Sequence, residues 1–192
     1  MLSQINTNIR AILQDSSKTG TETFIASGST FTISQPNADT VINILVNGNA
    51  LESGDFSYDS TSQIVTIESG SVVTGNAVII IYTYTKYSDT ELNDYIRSAL
   101  VYMDVYTYPI HFDIGSGNIE IYPIPLPKEQ SLIAMIVSVL IKPDWSQYRT
   151  ATVSIVYPRT MEKDIKIERL ISKFKMSKMG IVGTINLTGE ND

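Results

Sequence analysis

The segment from Tyr87 to Leu92 restricts the fold most, because it marks where one type of secondary structure ends and another begins. Ser88 is placed to cap a helix, and Glu91, three residues later, can reach back to the Ser88 N–H; together they form a capping box. Tyr87 and Leu92 occupy the two positions of the accompanying hydrophobic staple. We therefore predict a helix that starts at this junction and ends at about Tyr106.

Before the junction, residues 21–86 carry the pattern of short β-strands. Thr, Val, Ile and Tyr alternate with polar residues in short runs, and Gly, Asn, Asp and Ser separate the runs. Asn47-Gly48 lies between two such runs and indicates a two-residue hairpin turn, because both residues tolerate positive φ. Short strands at close intervals predict a small antiparallel β-sandwich or barrel.

Helical patterns lie on both sides of this β-module. Residues 1–14 place Leu2, Ile5, Ile9 and Ile12 at helical spacing. After the junction, Pro127 suits a first helical turn, and the run from Lys128 to Ile141 is apolar nearly all round, which indicates a helix buried by its neighbours. A strand over 151–157 and a last helix over about 161–176 follow.

The predicted fold class is α+β. A small antiparallel β-sandwich or barrel, residues 21–86, is inserted between an N-terminal helix and a helical body. Residues 1–20 and 87–178 form that body, and residues 179–192, which have no helical period, form an extended C-terminal arm.

The distribution of charge suggests an assembly surface. The formal net charge is −6, yet residues 142–178 contain nine basic and four acidic residues. One interpretation is a solvated basic helix face; the other is a contact between this basic part and the acidic part of another subunit. Tyrosines suit such an interface because they bury area and keep a polar tip, although stacking on a glycan is the alternative. The candidate interface residues are Tyr95, Tyr102, Tyr106, Arg159, Lys163, Lys166, Arg169, Lys173 and Lys175.

Catalytic and metal-binding patterns are missing from the sequence. There is no cysteine and a single histidine, His111, whose nearest acidic partner in the sequence is Asp113. No nucleophile or third group accompanies this pair, and the glycines do not form a phosphate loop. We therefore expect a non-enzymatic protein with no catalytic, cofactor-binding or metal-binding residues. No apolar run of about 18 residues or signal peptide is present, so we expect no membrane span and no export. The absence of cysteine suits synthesis in a reducing cytoplasm and is also compatible with an extracellular location.

The layout resembles a tailed-bacteriophage neck protein of the head-to-tail connector or adaptor type. The likeness rests on Tyr-Ser-Asp-Thr-Glu-Leu-Asn-Asp-Tyr-Ile at 87–96, the apolar helix 128–141, the strand 153–157 and the helix 165–174. A second likeness, carried by Ile-Leu-Val-Asn-Gly at 44–48 and Gly-Asp-Phe-Ser-Tyr at 54–58, is to small sandwich modules of phage tail-fibre and other virion proteins.

This resemblance implies a homo-oligomeric ring, twelve-fold in the family, that joins the portal to the tail. The expected partners are the portal protein, other neck or tail proteins, and DNA that passes without sequence-specific binding; no membrane is involved. The expected location is the virion, after synthesis in the host cytoplasm. An acidic channel would repel phosphate and so avoid holding the DNA. The alternative function is a tail-fibre or baseplate module that binds a host glycan or an adaptor protein.

Overall fold

The computed structural model describes residues 2–68, 70–115, 120–149, 153–158, 160–176 and 183–186. It contains helices and mostly antiparallel sheets, which confirms the predicted α+β class. The chain divides into two compact units. Ser16–Ser88 form the β-unit, and Met1–Asp15 together with Asp89–Asp192 form the helical unit.

Seven strands form the β-unit: β1 (Lys18–Ile25), β2 (Thr30–Thr32), β3 (Ala38–Val46), β4 (Asn49–Ala50), β5 (Phe56–Asp59), β6 (Ile64–Ile67) and β7 (Ala77–Tyr84). They make a four-stranded sheet in the order β1-β7-β3-β4 and a three-stranded sheet in the order β2-β6-β5, and the pairings are antiparallel. The first strand starts at Lys18, three residues before the predicted start of the β-module.

The two sheets share one apolar core, so the β-unit is a sandwich. Ile44 and Ile80 of the larger sheet are fully buried in the same cluster as Val65 of the smaller sheet. The predicted hairpin turn joins β3 to β4, with φ of 50° at Asn47 and 86° at Gly48. Both angles lie in the left-handed region, which explains the choice of these two residue types.

The helical unit contains α1 (Leu2–Leu13), α2 (Asp89–Val105), β8 (Asp113–Ile114), β9 (Ile121–Tyr122), α3 (Pro127–Ile141), β10 (Gln147–Arg149), β11 (Val153–Val156), α4 (Lys163–Met176) and β12 (Gly183–Asn186). The central helix is α3, which packs against α1, α2 and α4. Its residues from Ser131 to Val139 are buried without interruption, as the apolar run predicts. Across the described residues, no helix has both the length and the apolar character that crossing a membrane requires.

A buried carboxylate helps to start α3. Pro127 is the first helical residue, and Glu129 Oε2 accepts a hydrogen bond of 2.6 Å from the Leu126 N–H. The Tyr108 hydroxyl donates to the other oxygen of Glu129 at 3.4 Å, and burial together with this carboxylate raises the pKa of Tyr108 to about 12. The carboxylate therefore connects the start of α3 to the segment that follows α2.

Short strands complete the helical unit. β8 and β9 pair antiparallel in the segment between α2 and α3. β10 pairs antiparallel with β11, which pairs parallel with β12. The segment expected to be an extended C-terminal arm, 179–192, contributes β12; its other residues lie outside the described part of the chain.

Candidate assembly surface

The predicted junction lies where α2 begins. The helix starts at Asp89, directly after Ser88, so Ser88 occupies the N-cap position, and Leu92 is fully buried. Arg10 of α1 donates hydrogen bonds of 2.8 Å to both Asp89 and Asp15, which fastens the start of α2 to the end of α1. The reciprocal capping by Glu91 and the staple between Tyr87 and Leu92 stay predictions.

Two of the candidate tyrosines hold α2 against α4. The rings of Tyr102 and Tyr106 stack with centroids 6.2 Å apart. The Tyr102 hydroxyl donates to the Asp164 carboxylate at 2.9 Å, and the Tyr106 hydroxyl to the Asp164 carbonyl at 3.5 Å. Lys175 of α4 donates to the Tyr106 carbonyl at 3.2 Å and to the Thr107 hydroxyl at 3.1 Å. These side chains therefore bond the two helices of one protomer, whereas Tyr95, earlier on α2, is exposed.

Lys166 requires a correction, because it is buried and cannot offer its charge at a subunit interface. None of its surface is exposed, and its ammonium donates to the Pro143 carbonyl and, at 3.1 Å, to the Trp145 carbonyl. The Tyr157 hydroxyl in turn donates to the Lys166 carbonyl at 2.9 Å. Burial lowers the pKa of Lys166. One sequence signal could have shown this: Lys166 lies four residues before Leu170, on the apolar side of α4.

The other described basic residues of α4 are exposed. Lys163 lies 3.9 Å from Asp164, and Lys175 is held by Tyr106 and Thr107. Lys173 makes no hydrogen bond or ion pair with any described residue. Arg169 is exposed four residues before it, on the same side of the helix. Arg159 lies outside the described residues.

A cleft of about 270 Å³ beside α2 is a feature that the sequence analysis missed. Its lining residues are Arg97, Leu100, Val101, Asp104, His111, Phe112, Asp113 and Ile114. His111 Nδ1 lies 2.9 Å from Asp104 Oδ1, so the hydrogen-bond partner of the histidine is Asp104 rather than Asp113, the candidate nearest in sequence. The hydrogen bond to Asp104, and its charge, raise the pKa of His111; the charge of Asp113 adds less.

Large apolar side chains are exposed on the same unit. On α2, Val101 is 61% and Val105 is 66% exposed. From the last residue of β9 to the residue before α3, Tyr122, Ile124 and Leu126 are each more than half exposed. Contiguous exposed apolar side chains mark interaction sites, so these five residues are candidates for one, and we name them the apolar assembly residues.

Comparison with known proteins does not identify a function for the chain. No protein-family model matches the chain, and no curated protein is similar to it at a significant level. Within the described residues, no three His, Asp or Glu side chains are grouped so that they could hold a metal ion. The candidate functional surfaces are therefore the apolar assembly residues, the cleft and the exposed bases of α4.

Proposed function

We propose that this chain is a structural virion protein that forms a ring in the neck of a tailed phage, joins the portal to the tail and lets DNA pass. The observation that carries the proposal is the set of five apolar assembly residues on the helical unit. Complete burial of an aliphatic side chain of this size contributes about 1.5–3 kcal/mol. The four aliphatic members are 57–66% exposed, so a lone protomer forgoes the corresponding share of that gain at each of them, and an assembled one recovers part of it.

The charges of the helical unit support association with another copy of the same chain. Along α2 there are four acidic residues and one basic residue, Arg97. Along α4 the exposed bases are Lys163, Arg169, Lys173 and Lys175. Surfaces of opposite charge on one chain favour a head-to-tail contact, and a contact of that type closes into a ring when its rotation permits.

The role of the ring follows from the resemblance described above. Its partners are the portal protein and other neck or tail proteins, and by family likeness the ring has twelve copies. A chain with a formal net charge of −6 favours the passage of DNA without sequence-specific binding. The ring belongs to the virion after synthesis in the host cytoplasm, and the role needs no catalytic step, cofactor or membrane.

The alternative, a tail-fibre or baseplate module that binds a host glycan or an adaptor protein, has less support. Glycan stacking requires accessible aromatic rings, and tyrosines of the β-unit serve its own structure instead. The Tyr58 hydroxyl donates to the Ala38 carbonyl at 2.8 Å, and Tyr82 is almost fully buried with its hydroxyl 2.8 Å from Glu22 Oε1. These contacts favour assembly through the helical unit.

The test is the oligomeric state of the purified full-length chain, alone and with the portal ring of the same phage. We expect rings in negative-stain images and a matching mass by light scattering. The double variant Ile124→Ser/Leu126→Ser should lower the ring fraction at least tenfold, whereas Ile25→Ser/Ile42→Ser, which changes two exposed residues of the β-unit, should leave it unchanged. A chain that stays monomeric and does not bind the portal ring would refute the proposal. Trimers that bind a glycan array would favour the alternative.

A further inference from the structure

We propose that the contact between neighbouring copies seats Lys173 of one copy in the cleft beside Asp113 of the next. This inference rests on the proposed function and specifies the interface that builds the ring.

The cleft has the chemistry to receive a lysine side chain. Leu100, Val101 and Phe112 supply apolar surface for the methylene stem. The charged groups of the lining are Arg97, the Asp104–His111 pair and the Asp113 carboxylate, and this last group supplies the negative charge for a lysine. Its volume of about 270 Å³ lies just below the range of about 300–1,000 Å³ for small-molecule pockets, so one long side chain suits it better than a drug-sized ligand.

Asp113 is the carboxylate of the cleft that can accept a new partner. Asp104 already pairs with His111 at 2.9 Å. The backbone of Asp113 pairs with Tyr122 in the β8–β9 hairpin, which fixes its position, while its carboxylate makes no hydrogen bond or ion pair with the described residues. Tyr122 is also one of the apolar assembly residues. A cation bound at Asp113 would therefore lie next to the surface that assembly covers.

Of the basic residues on α4, Lys173 is the one whose side chain is best suited to contact a neighbouring copy. Lys166 is buried, Lys175 is bonded to Tyr106 and Thr107, and Lys163 lies near Asp164. Lys173 is exposed and unpaired within the described residues. Arg169, one turn earlier on the same flank, adds positive charge beside it.

Helix geometry places the cleft and Lys173 on opposite sides of the α2–α4 pair. Residues two positions apart are separated by about 200° around a helix. On α2, Tyr102 contacts α4, so Asp104 and the cleft lie on the far flank. On α4, Lys175 contacts the end of α2, so Lys173 lies on the far flank. A lysine that faces away from the cleft of its own copy can reach the cleft of a neighbour, and repetition of this contact is head-to-tail.

Charge reversal tests the contact in the full-length chain. Asp113→Lys and Lys173→Asp should each reduce the ring fraction at least tenfold, and the double variant or an equal mixture of the two single variants should restore it. Asp39→Lys makes the same charge change at an exposed position of the β-unit, outside the helical unit that carries the contact, and should leave ring formation unchanged. Circular dichroism checks that each variant is folded.

The absence of cysteine from the chain permits a second, direct readout. The variant Asp113→Cys/Lys173→Cys should give a ladder of reducible covalent multimers under mild oxidation, and each single cysteine variant should give dimers at most. Rings that are insensitive to charge reversal and fail to cross-link would overturn the inference while the proposed function stands. An oxidised variant that cross-links only within its own chain would also overturn it. Failure of the unmodified chain to form rings, with or without the portal, refutes the proposed function itself.

Discussion

Replacing Gly20 with alanine should destabilise the β-unit, because the structure leaves no room for a Cβ at this position. Gly20 lies opposite Tyr82 in the β1–β7 pairing. A Cβ built on Gly20 would lie 2.6 Å from Cε2, 2.7 Å from Cζ and 2.9 Å from the hydroxyl oxygen of Tyr82. That tyrosine is 3% exposed and donates a hydrogen bond of 2.8 Å to Glu22 Oε1, so its ring cannot move aside without loosening that bond.

The expected loss follows from three contributions. Forcing a methyl group into packed surroundings costs about 1–3 kcal/mol. Breaking a hydrogen bond to a charged group adds about 1.5–3 kcal/mol, and the reduced entropy of the unfolded alanine chain offsets about 0.4–1 kcal/mol. We expect the free energy of unfolding of the β-unit to fall by about 2–4 kcal/mol.

Hydrogen exchange of peptides from β1 and β7 measures the loss of stability in the two strands that carry Gly20 and Tyr82. The single tryptophan, Trp145, belongs to the helical unit, so its fluorescence reports the other part of the chain. The matched control is Gly28→Ala, because a Cβ at Gly28 meets no atom within 4 Å. Equal protection of the two alanine variants would refute the steric argument. In a Tyr82→Phe background the clash with the ring remains but the hydrogen bond is already absent, so the loss caused by Gly20→Ala should be smaller.

Three further predictions concern buried and titrating groups. Lys166→Ala should lower the free energy of unfolding by about 2–4 kcal/mol, because two carbonyls lose their donor and a cavity remains. Urea titrations followed by Trp145 fluorescence measure this change. The control variant Lys163→Ala, at an exposed position, should change the free energy of unfolding by less than about 0.5 kcal/mol. Partial burial of Glu22 opposes its ionisation, but hydrogen bonds from the Ser34 N–H, the Tyr82 hydroxyl and the Gln35 N–H hold its pKa below the ordinary value. The stability that it contributes is therefore present above the unfolded pKa of about 4.3 and is lost as the pH falls through the folded pKa, so thermal melts of Glu22→Gln should lose less stability in acid than those of the unmodified chain. Asp104→Asn should lower the pKa of His111 in an NMR titration more than Asp113→Asn does, and equal shifts would contradict the assigned pairing.

Features carried by neighbouring residues could be predicted from the sequence. The hairpin turn requires only two neighbouring residues that tolerate positive φ, and it forms at Asn47-Gly48 as predicted. The start of α2 and the buried character of α3 are also local, because a cap spans four residues and an apolar run spans one helix. The α+β class follows from the same evidence, since the spacing of apolar residues changes from every second residue to about every 3.6 residues at the junction 87–92.

The partners of individual side chains depended on the tertiary structure. His111 has Asp113 nearby in sequence, yet the chain turns after α2, with φ of 53° at Thr107, and brings the imidazole back to Asp104. Lys166 is one of several bases on α4, and its buried ammonium is accommodated by the Pro143 and Trp145 carbonyls in the loop after α3, which accept hydrogen bonds from it. Composition and periodicity thus determined which elements form and which faces are apolar, because these depend on short-range sterics and hydrophobicity. The cleft depends on how the chain folds back against α2 after residue 107, and the exposure of Lys173 depends on which side of α4 packs against the rest of the helical unit, which no local pattern encodes.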